Sequence, residues 1–290
     1  MKERGKESIM RTALLLCALV VALYVLLISG YLILSGLPAL RSIGAGKFLS
    51  GTVWAPTKDS EPAFGILPLI LTSLYGTAAA IVVGVPIGIF AALFLAKLAT
   101  PRTQAVLGIM VDLLAGIPSV VYGLTGMLVL VPALRAALDL PAGDGLLASI
   151  LVLAVMILPT VISLSAAALK DVPNEYEEGS LALGATRIET VFLISLRAAR
   201  SGLASAVVLG VGRAIGETMA ILMVAGNVAN MPSLFKSVRF LTTGIAIEMN
   251  YAAPGSLQRQ ALFSIALVLF LFILAINLLL QLLLRRRKER

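Results

Sequence analysis

The sequence of 290 residues contains no histidine and a single cysteine, Cys17, which lies inside an apolar run. One cysteine cannot form a disulfide within the chain, and the Cys/His sets that hold zinc are absent. No motif pairs a nucleophile with a general base, which argues against a membrane enzyme. The sequence therefore predicts no metal site, no catalytic residue and no cofactor bound by this chain.

Charged residues are also scarce. They make up 13% of the chain, whereas hydrophobic residues make up 59% and the mean hydropathy is +1.02. A soluble domain carries about 25% charged residues, so this composition indicates an integral membrane protein surrounded by lipid. The net charge of +8 could accompany nucleic-acid binding. However, the basic residues flank the apolar runs, so no nucleic-acid partner is predicted.

Six apolar runs are long enough to cross a bilayer, because a helix of about 20 residues spans the hydrocarbon core. The runs cover residues 12–35, 65–97, 105–132, 146–169, 201–226 and 261–284. They predict an all-α, polytopic membrane protein whose first run is a retained anchor. Most of the 23 Lys and Arg residues fall in segments that share one side of the membrane. The positive-inside rule then places both termini in the cytoplasm.

Prolines interrupt three consecutive runs. Pro86 stands within a Gly84-x-x-x-Gly88 motif, and Pro118 and Pro159 stand in the next two runs. Each proline removes a helical hydrogen bond, and paired glycines allow a second helix to approach closely. The pattern predicts hinges in a moving core. The alternative is that these are ordinary kinks in packed helices.

The fifth run carries two charges. Arg213 lies near its middle, where a cation costs ~2.5–3.5 kcal/mol to insert. Glu217 would follow one helical turn later on the same face, so the two charges could partly neutralise each other. Gly212 and Gly216 predict a close helix contact beside them. We expect Arg213 and Glu217 to line a translocation pathway, with Asp112 helping to balance charge; the alternative is an ion pair that only fixes helix packing.

A polar segment between the fourth and fifth runs, residues 171–200, predicts a helical hairpin. Asn174 resembles a helix cap, and Thr186 with Glu189 forms a capping-box motif. Gly184 between them suits a left-handed turn. We expect a short helix over 175–183, a glycine turn and a second helix that enters the membrane. Its apolar residues need a partner groove or the membrane surface, and the alternative is an interfacial connector.

The hairpin resembles the EAA loop of ABC-importer permeases. The matching residues are Glu178, Gly179, Ser180, Gly184 and Ala185, followed by Ile194, Ser195 and Leu196. In that family the loop forms a coupling helix seated in a cleft of the ATP-hydrolysing subunit. Gly179 and Ser180 replace the family's alanines, and Arg197 replaces its closing proline. The residues expected to dock the ATPase are Tyr176, Glu178, Gly179, Ser180, Gly184 and Ala185.

The sequence has no Gly-x-x-x-x-Gly-Lys-Ser/Thr motif, so it contains no loop of this kind to cradle ATP phosphates. Any ATP must therefore be used by another polypeptide. The hairpin is the candidate socket for that partner.

A wider resemblance extends from Trp54 to Leu269. The segments GRAIGETMA in the fifth run and DLLAGIPSVVYG in the third resemble phosphate-importer permeases of the PstC type. This resemblance implies the MetI-like permease fold in a prokaryotic cytoplasmic membrane. In this family Arg213 and Glu217 would correspond to charged residues implicated in translocation. A guanidinium also suits a phosphate oxyanion.

The expected function is that of a permease subunit in an ATP-driven phosphate importer. The resemblance implies two ATP-binding subunits, a second, PstA-type permease and an extracytoplasmic phosphate-binding protein. The alternatives are a permease for another oxyanion, such as molybdate, sulfate or phosphonate, and an ion-coupled carrier that works alone.

The expected organisation has two parts. Residues 1–64 would form an anchor helix and an outer loop, and residues 65–290 would form the transmembrane domain. The three outer segments, about 36–63, 133–145 and 227–260, could dock the binding protein or could simply connect spans.

Overall fold

The chain folds as a helical bundle, which confirms the predicted all-α class. The computed structural model describes residues 2–58 and 61–286. In chain order the helices are α1 (Lys2–Ile43), α2 (Ala45–Ser50), α3 (Leu67–Leu93), α4 (Pro101–Gly116), α5 (Ser119–Thr125), α6 (Val131–Leu138), α7 (Leu146–Lys170), α8 (Asn174–Ala182), α9 (Arg187–Glu189), α10 (Leu196–Ala198), α11 (Arg200–Gly216), α12 (Met219–Val224), α13 (Leu241–Glu248) and α14 (Leu257–Arg286).

Two minor kinds of element complete the fold. π-helical turns cover Phe94–Leu98, Gly126–Leu130 and Thr190–Ser195. Strands β1 (Trp54–Ala55) and β2 (Ala63–Phe64) form an antiparallel pair. We call the end of the bundle that carries α8–α10 the hairpin side, and the opposite end, with α2, β1, β2 and α13, the loop side.

Within the described residues, five helical stretches are long and apolar enough to cross a membrane. They are Met10–Ile43, Leu67–Leu98, Ser119–Leu138, Leu146–Lys170 and Leu257–Leu279. The segment Arg187–Ala198 followed by α11 gives a sixth if the pair is one span, although it bends by 71°. The count of up to six agrees with the sequence prediction. Residues 287–290, at the predicted cytoplasmic C-terminus, lie outside the described residues.

The bounds predicted for the third span, 105–132, are wrong. α4 ends at Gly116, Ile117 has an extended backbone (φ −70°, ψ 125°), and α5 follows Pro118. Proline lacks an N–H group and disfavours a helical conformation in the residue before it. It therefore divides the apolar run, and the stretch that can cross a membrane is Ser119–Leu138.

The predicted fifth run, 201–226, is interrupted as well. α11 ends at Gly216 and α12 begins at Met219. The backbone of Glu217 between them is extended (φ −67°, ψ 131°). The expectation that Glu217 continues the helix of Arg213 on the same face is therefore wrong.

The most extensive helix contact joins α3 to α7. It depends on two glycines of α3. A Cβ atom at Gly84 would lie 2.9 Å from the carbonyl oxygen of Ala154, and one at Gly88 would lie 2.7 Å from Cγ1 of Val161. Real Cβ contacts are not this short, so the two backbones approach closely only because these residues are glycine.

The prolines of the same two helices do not interrupt them. α3 continues through Pro86 and α7 continues through Pro159. Both helices are therefore continuous, and close packing within a bundle tolerates the missing hydrogen bond. A hinge at Pro86 or Pro159 stays a prediction. Of the three predicted hinge prolines, Pro118 is the one at which the helix ends.

Buried side chains form three cores. Leu153 belongs to the first, which joins α7 to α12 in the interior. Phe48 and Leu262 belong to the second, on the loop side, and Leu169 and Val191 belong to the third, on the hairpin side. α1 packs along α14. The bundle therefore connects its two ends through α3 and α7.

A carboxylate on the loop side joins three distant segments. Oε1 of Glu248 accepts hydrogen bonds from Nε1 of Trp54 (2.8 Å) and Nη1 of Arg239 (2.6 Å). Its Oε2 accepts one from Nε2 of Gln258 (3.3 Å). The segment around β1, the loop before α13 and the start of α14 therefore meet at one side chain of α13.

Candidate functional site

Arg213 lies in the last turn of α11 and bonds to α7. Its Nη1 donates a hydrogen bond of 3.0 Å to Oγ1 of Thr160 on α7. The side chain is half-buried. A cation on a membrane-spanning helix is expected to face the bundle interior or a wet path.

Glu217 stabilises the interruption between α11 and α12. Its residue is 9% exposed, and its Oε1 accepts a hydrogen bond of 2.9 Å from the N–H of Ala220. Its main-chain carbonyl accepts a second bond of 2.9 Å from Oγ1 of Thr242 on α13. The carboxylate thus satisfies a free amide at the start of α12, and the backbone ties the interruption to the loop side.

The expected ion pair between Arg213 and Glu217 is not formed. Within 4.0 Å, the ion pairs of the described side chains are Lys97–Glu177 and Arg239–Glu248. Arg213 therefore has no carboxylate partner in the described part of the chain. A partly buried guanidinium without a carboxylate can accept an anion without first breaking an ion pair.

The interruptions at Pro118 and Glu217 lie side by side. The hydroxyl of Tyr122 donates a 2.8 Å hydrogen bond to the carbonyl of Leu114, so it bridges α4 and α5 across Pro118. A Cβ atom at Gly123 would lie 2.8 Å from Cα of Ala220, which shows how closely α5 approaches α12. Two interrupted helices therefore contact each other next to Arg213.

We call Tyr122, Thr160, Arg213 and Glu217 the helix-break cluster. Sequence reasoning identified Arg213 and Glu217 as charges within an apolar run but missed the other two. Tyr122 stands in the motif that follows Pro118, which was a usable signal. The only sequence signal for Thr160 was its position directly after Pro159, because a single threonine in an apolar helix does not by itself indicate a site.

Asp112 lies elsewhere. It is exposed on α4 and lines a cavity of about 250 Å³ between α4 and α7. Gln104, Ser163 and Lys170 line the same cavity, whereas Arg213 does not. Because α7 ends on the hairpin side, the structure does not bring Asp112 into the helix-break cluster. Its part in translocation remains a prediction.

Gly212 and Gly216 do not make the close contact expected of them within the described part of the chain. A Cβ atom added at either position would meet no other heavy atom within 4 Å, apart from its own helix backbone and chain neighbours. The role of Gly212 and Gly216 in helix packing stays a prediction.

The hairpin (residues 171–200) has the predicted first helix and glycine turn. α8 covers Asn174–Ala182, and Gly184 has a positive φ of 90°, which suits glycine. The expected cap at Asn174 is wrong, because Asn174 is already helical and Pro173 occupies the cap without a side-chain bond. The proline ring restricts the φ angle of Pro173, which is −56°. This angle favours the start of the helix.

The capping box of the second arm is confirmed. The N–H of Thr186 donates a 2.8 Å hydrogen bond to Oε2 of Glu189, and the N–H of Glu189 donates one of 3.3 Å to Oγ1 of Thr186. The backbone hydrogen bond from Thr186, followed by the bond from its hydroxyl, lowers the pKa of Glu189 below its ordinary value. The carboxylate is therefore ionised, and the cap intact, at neutral pH.

The tip of the hairpin presents apolar side chains outward. Leu183 is 91% exposed, and Ile188 and Tyr176 are also exposed. Of the predicted docking residues, Tyr176, Glu178, Gly179 and Gly184 are exposed, and Ser180 and Ala185 are half-buried. The hydroxyl groups of Ser180 and Thr190 are 2.9 Å apart, which joins the two arms. Exposed apolar groups on a polar hairpin outside the spans are typical of a docking surface.

The hairpin leaves through a bend rather than through the family's proline. The helical backbone continues past Arg197 to Ala198, and the 71° bend lies between Ala198 and Arg200. Ala199 at the bend remains in the helical region (φ −77°, ψ 0°). The second arm therefore does not run straight into the membrane as predicted, because it bends by 71° before α11.

Comparison with known families gives a decisive match. Residues 84–289 match the family described as "Binding-protein-dependent transport system inner membrane component". The chain belongs to this family. It is a permease subunit of an ABC importer and a multi-pass membrane protein.

Relatives of the permease cover nearly its whole length. It is 40% identical over 281 residues to the "Probable ABC transporter permease protein YqgH" of Bacillus subtilis, with 94% of this chain and 89% of the relative covered. It is 32% identical over 303 residues to the "Phosphate transport system permease protein PstC" of Haemophilus influenzae, with 98% and 94% covered. The resemblance to PstC-type permeases is confirmed.

Solved structures share the fold of the permease. A bacterial alginate ABC transporter in complex with an alginate-bound periplasmic protein aligns with a TM-score of 0.60 at 18% identity, covering 96% of this chain and 94% of that one. The MetNI methionine ABC transporter in an inward-facing conformation aligns with a TM-score of 0.57 at 19% identity, covering 77% and 94%. These likenesses confirm the ABC-importer permease fold.

Proposed function

We propose that the permease carries inorganic phosphate across the membrane into the cytoplasm. The observation that carries this proposal is the guanidinium of Arg213 on α11, which is half-buried, bonds to Thr160 of α7 and has no carboxylate within 4.0 Å among the described residues. A phosphate oxyanion binds guanidinium through charge-assisted hydrogen bonds. Relatives named as phosphate permeases support the same cargo.

The neighbours of Arg213 suit transient binding. Thr160 and Tyr122 each carry a hydroxyl, which can accept or donate a hydrogen bond. One cation with neutral neighbours compensates part of a phosphate's charge, so the anion is held without being trapped. The adjoining interruptions at Pro118 and Glu217 give α5 and α12 places at which the pathway can open.

Energy reaches the permease through the hairpin. We propose that an ATPase subunit docks on the exposed tip, hydrolyses ATP and moves α8, with one such subunit under this permease and one under a second permease. The hairpin side then faces the cytoplasm together with both termini. The loop side faces an extracytoplasmic phosphate-binding protein.

The docking proposal predicts that a substitution at one hairpin glycine weakens binding of the ATPase subunit, whereas a substitution at another leaves that binding unchanged. Gly184→Val places a β-branched side chain at a φ of 90°, which costs about 1–3 kcal/mol of strain, so the turn should distort. We expect at least a tenfold weaker affinity for the ATPase subunit in a co-purification titration. Gly179→Ala is the matched control: its Cβ meets no atom within 4 Å, and it restores the alanine of the EAA motif. Wild-type affinity in Gly184→Val would contradict the proposal.

The cargo is tested in proteoliposomes that contain the whole importer. We expect ATP-dependent uptake of labelled phosphate that is suppressed by an excess of unlabelled phosphate. The same excess of sulfate, molybdate or phosphonate should leave the uptake largely unchanged. Stronger suppression by one of those oxyanions would assign the permease to that cargo instead. Uptake by the isolated chain under an ion gradient, without any ATPase, would make it an ion-coupled carrier.

A further inference from the structure

A charged junction on the hairpin side joins the hairpin to α3. Glu177 of α8 forms an ion pair with Lys97, which lies in the π-helical turn that ends α3. Ser195 of the second arm donates a 2.9 Å hydrogen bond to the same carboxylate oxygen, Oε1. The Lys97 side chain is 8% exposed and that of Glu177 is 23% exposed. The junction is therefore largely removed from solvent.

Lys97 is held by its main chain as well. The guanidinium of Arg187, at the start of the second arm, donates a 3.0 Å hydrogen bond to the carbonyl of Lys97. Both arms of the hairpin thus bind the same residue, α8 through its side chain and the second arm through its backbone. Leu95 in the same π-helical turn packs in one core with Val191 of the second arm.

The sequence motif points to a different carboxylate. Glu178 stands at the acidic position of the EAA motif, yet it is exposed, whereas Glu177 turns inward to Lys97. Adjacent residues of a helix project about 100° apart, so one of them faces a docked partner while the other faces the bundle. The two carboxylates therefore have separate tasks.

Movement of the hairpin can reach the membrane-spanning helices by two routes. The covalent route runs through the second arm into α11 and turns by 71° at Ala199. The other route runs through Lys97 into α3, which is packed against α7 along the Gly84–Gly88 edge. A bent connection can absorb a displacement by changing its angle. A partly buried ion pair braced by two hydrogen bonds changes its geometry less readily, because separating charges that have little access to water is costly.

We propose that the Lys97–Glu177 pair is the positioning contact that carries movement of the hairpin into α3. The inference rests on the proposed docking of an ATPase at the hairpin. It makes Lys97 and Glu177 coupling residues rather than docking or cargo-binding residues. Their removal should separate ATP hydrolysis from transport without detaching the ATPase.

The test measures cargo moved per ATP hydrolysed by the whole importer in proteoliposomes. Glu177→Gln keeps the shape of the side chain and can still accept the Ser195 bond, but it loses the charge. We expect this variant and Lys97→Met each to lower the ratio at least tenfold, while ATP hydrolysis and co-purification of the ATPase persist. The charge exchange Lys97→Glu with Glu177→Lys should restore at least half of the wild-type ratio.

The matched control is Glu175→Gln on the same helix, where the side chain is exposed; its ratio should equal that of the wild type. Wild-type ratios in both single variants would overturn the proposal. So would a charge exchange that assembles but stays uncoupled. If the exchange does not assemble, the neutral pair Lys97→Met with Glu177→Gln decides, because a coupled neutral pair would overturn the role of the charges. Absence of ATP-driven uptake in the wild type would instead refute the proposed function.

Discussion

Replacing Arg213 with glutamine is expected to lower phosphate uptake by roughly 10- to 100-fold, because a hydrogen bond to a charged group contributes about 1.5–3 kcal/mol. Glutamine keeps a donor for Thr160 but loses the positive charge that we propose binds the anion. Initial rates of phosphate uptake by the reconstituted importer measure the effect. The amount of assembled complex on size exclusion should stay at the wild-type level.

Two further variants separate charge from packing. Arg213→Lys keeps the charge but loses the planar fork, so an intermediate rate is expected. Thr160→Val removes the hydroxyl that accepts the 3.0 Å bond and keeps the guanidinium, so a loss of a few fold is expected. If Arg213→Gln instead prevents assembly and the assembled fraction transports normally, Arg213 serves helix packing and not the cargo.

Gly84→Leu is expected to have the largest effect on stability. Even the first atom of the new side chain would lie 2.9 Å from the carbonyl of Ala154 and 2.8 Å from Ile157. Overpacking costs about 1–3 kcal/mol where neighbours can relax, and here one neighbour is backbone. We expect the midpoint of thermal unfolding in detergent to fall by roughly 5–10 °C, since each kcal/mol shifts Tm by about 2–4 °C in a chain of this size.

Gly30→Leu is the matched control for this prediction. Gly30 also lies in an apolar helix, α1, but its Cβ would meet no atom within 4 Å. The same gain in side-chain volume should therefore leave the midpoint within about 1 °C of the wild type. Equal losses in both variants would show that the α3–α7 contact is not the determinant.

Hydropathy located the spans well where an apolar run is also a single helix. The run predicted over 146–169 corresponds to the helix Leu146–Lys170. Its backbone hydrogen bonds are formed within one helix, so the apolar run and the helix coincide. Periodicity could not reveal the interruption at Glu217. The carboxylate of Glu217 accepts a bond from the N–H of Ala220, and its main-chain carbonyl accepts one from the hydroxyl of Thr242, which lies 25 residues away in sequence.

In the hairpin, sequence motifs predicted the local structure but not the long-range contacts. Gly184 and the capping box were visible because a left-handed turn and a helix start each depend on a few adjacent residues. The inward direction of Glu177 was not visible, since its partner Lys97 belongs to the end of another helix. Charged residues in the interior were thus recognised from sequence as unusual, but their partners depend on which helices pack together.

The shared attachment at Glu248 constrains how the loop side can diverge. Trp54 and Glu248 are 194 positions apart, yet they hydrogen-bond directly. A chimaera that exchanges the segment around Trp54 alone would leave Glu248 and Arg239 facing a foreign surface, whereas one that exchanges all three segments keeps the attachment. The proposed binding-protein surface on this face would therefore diverge as one unit of three segments.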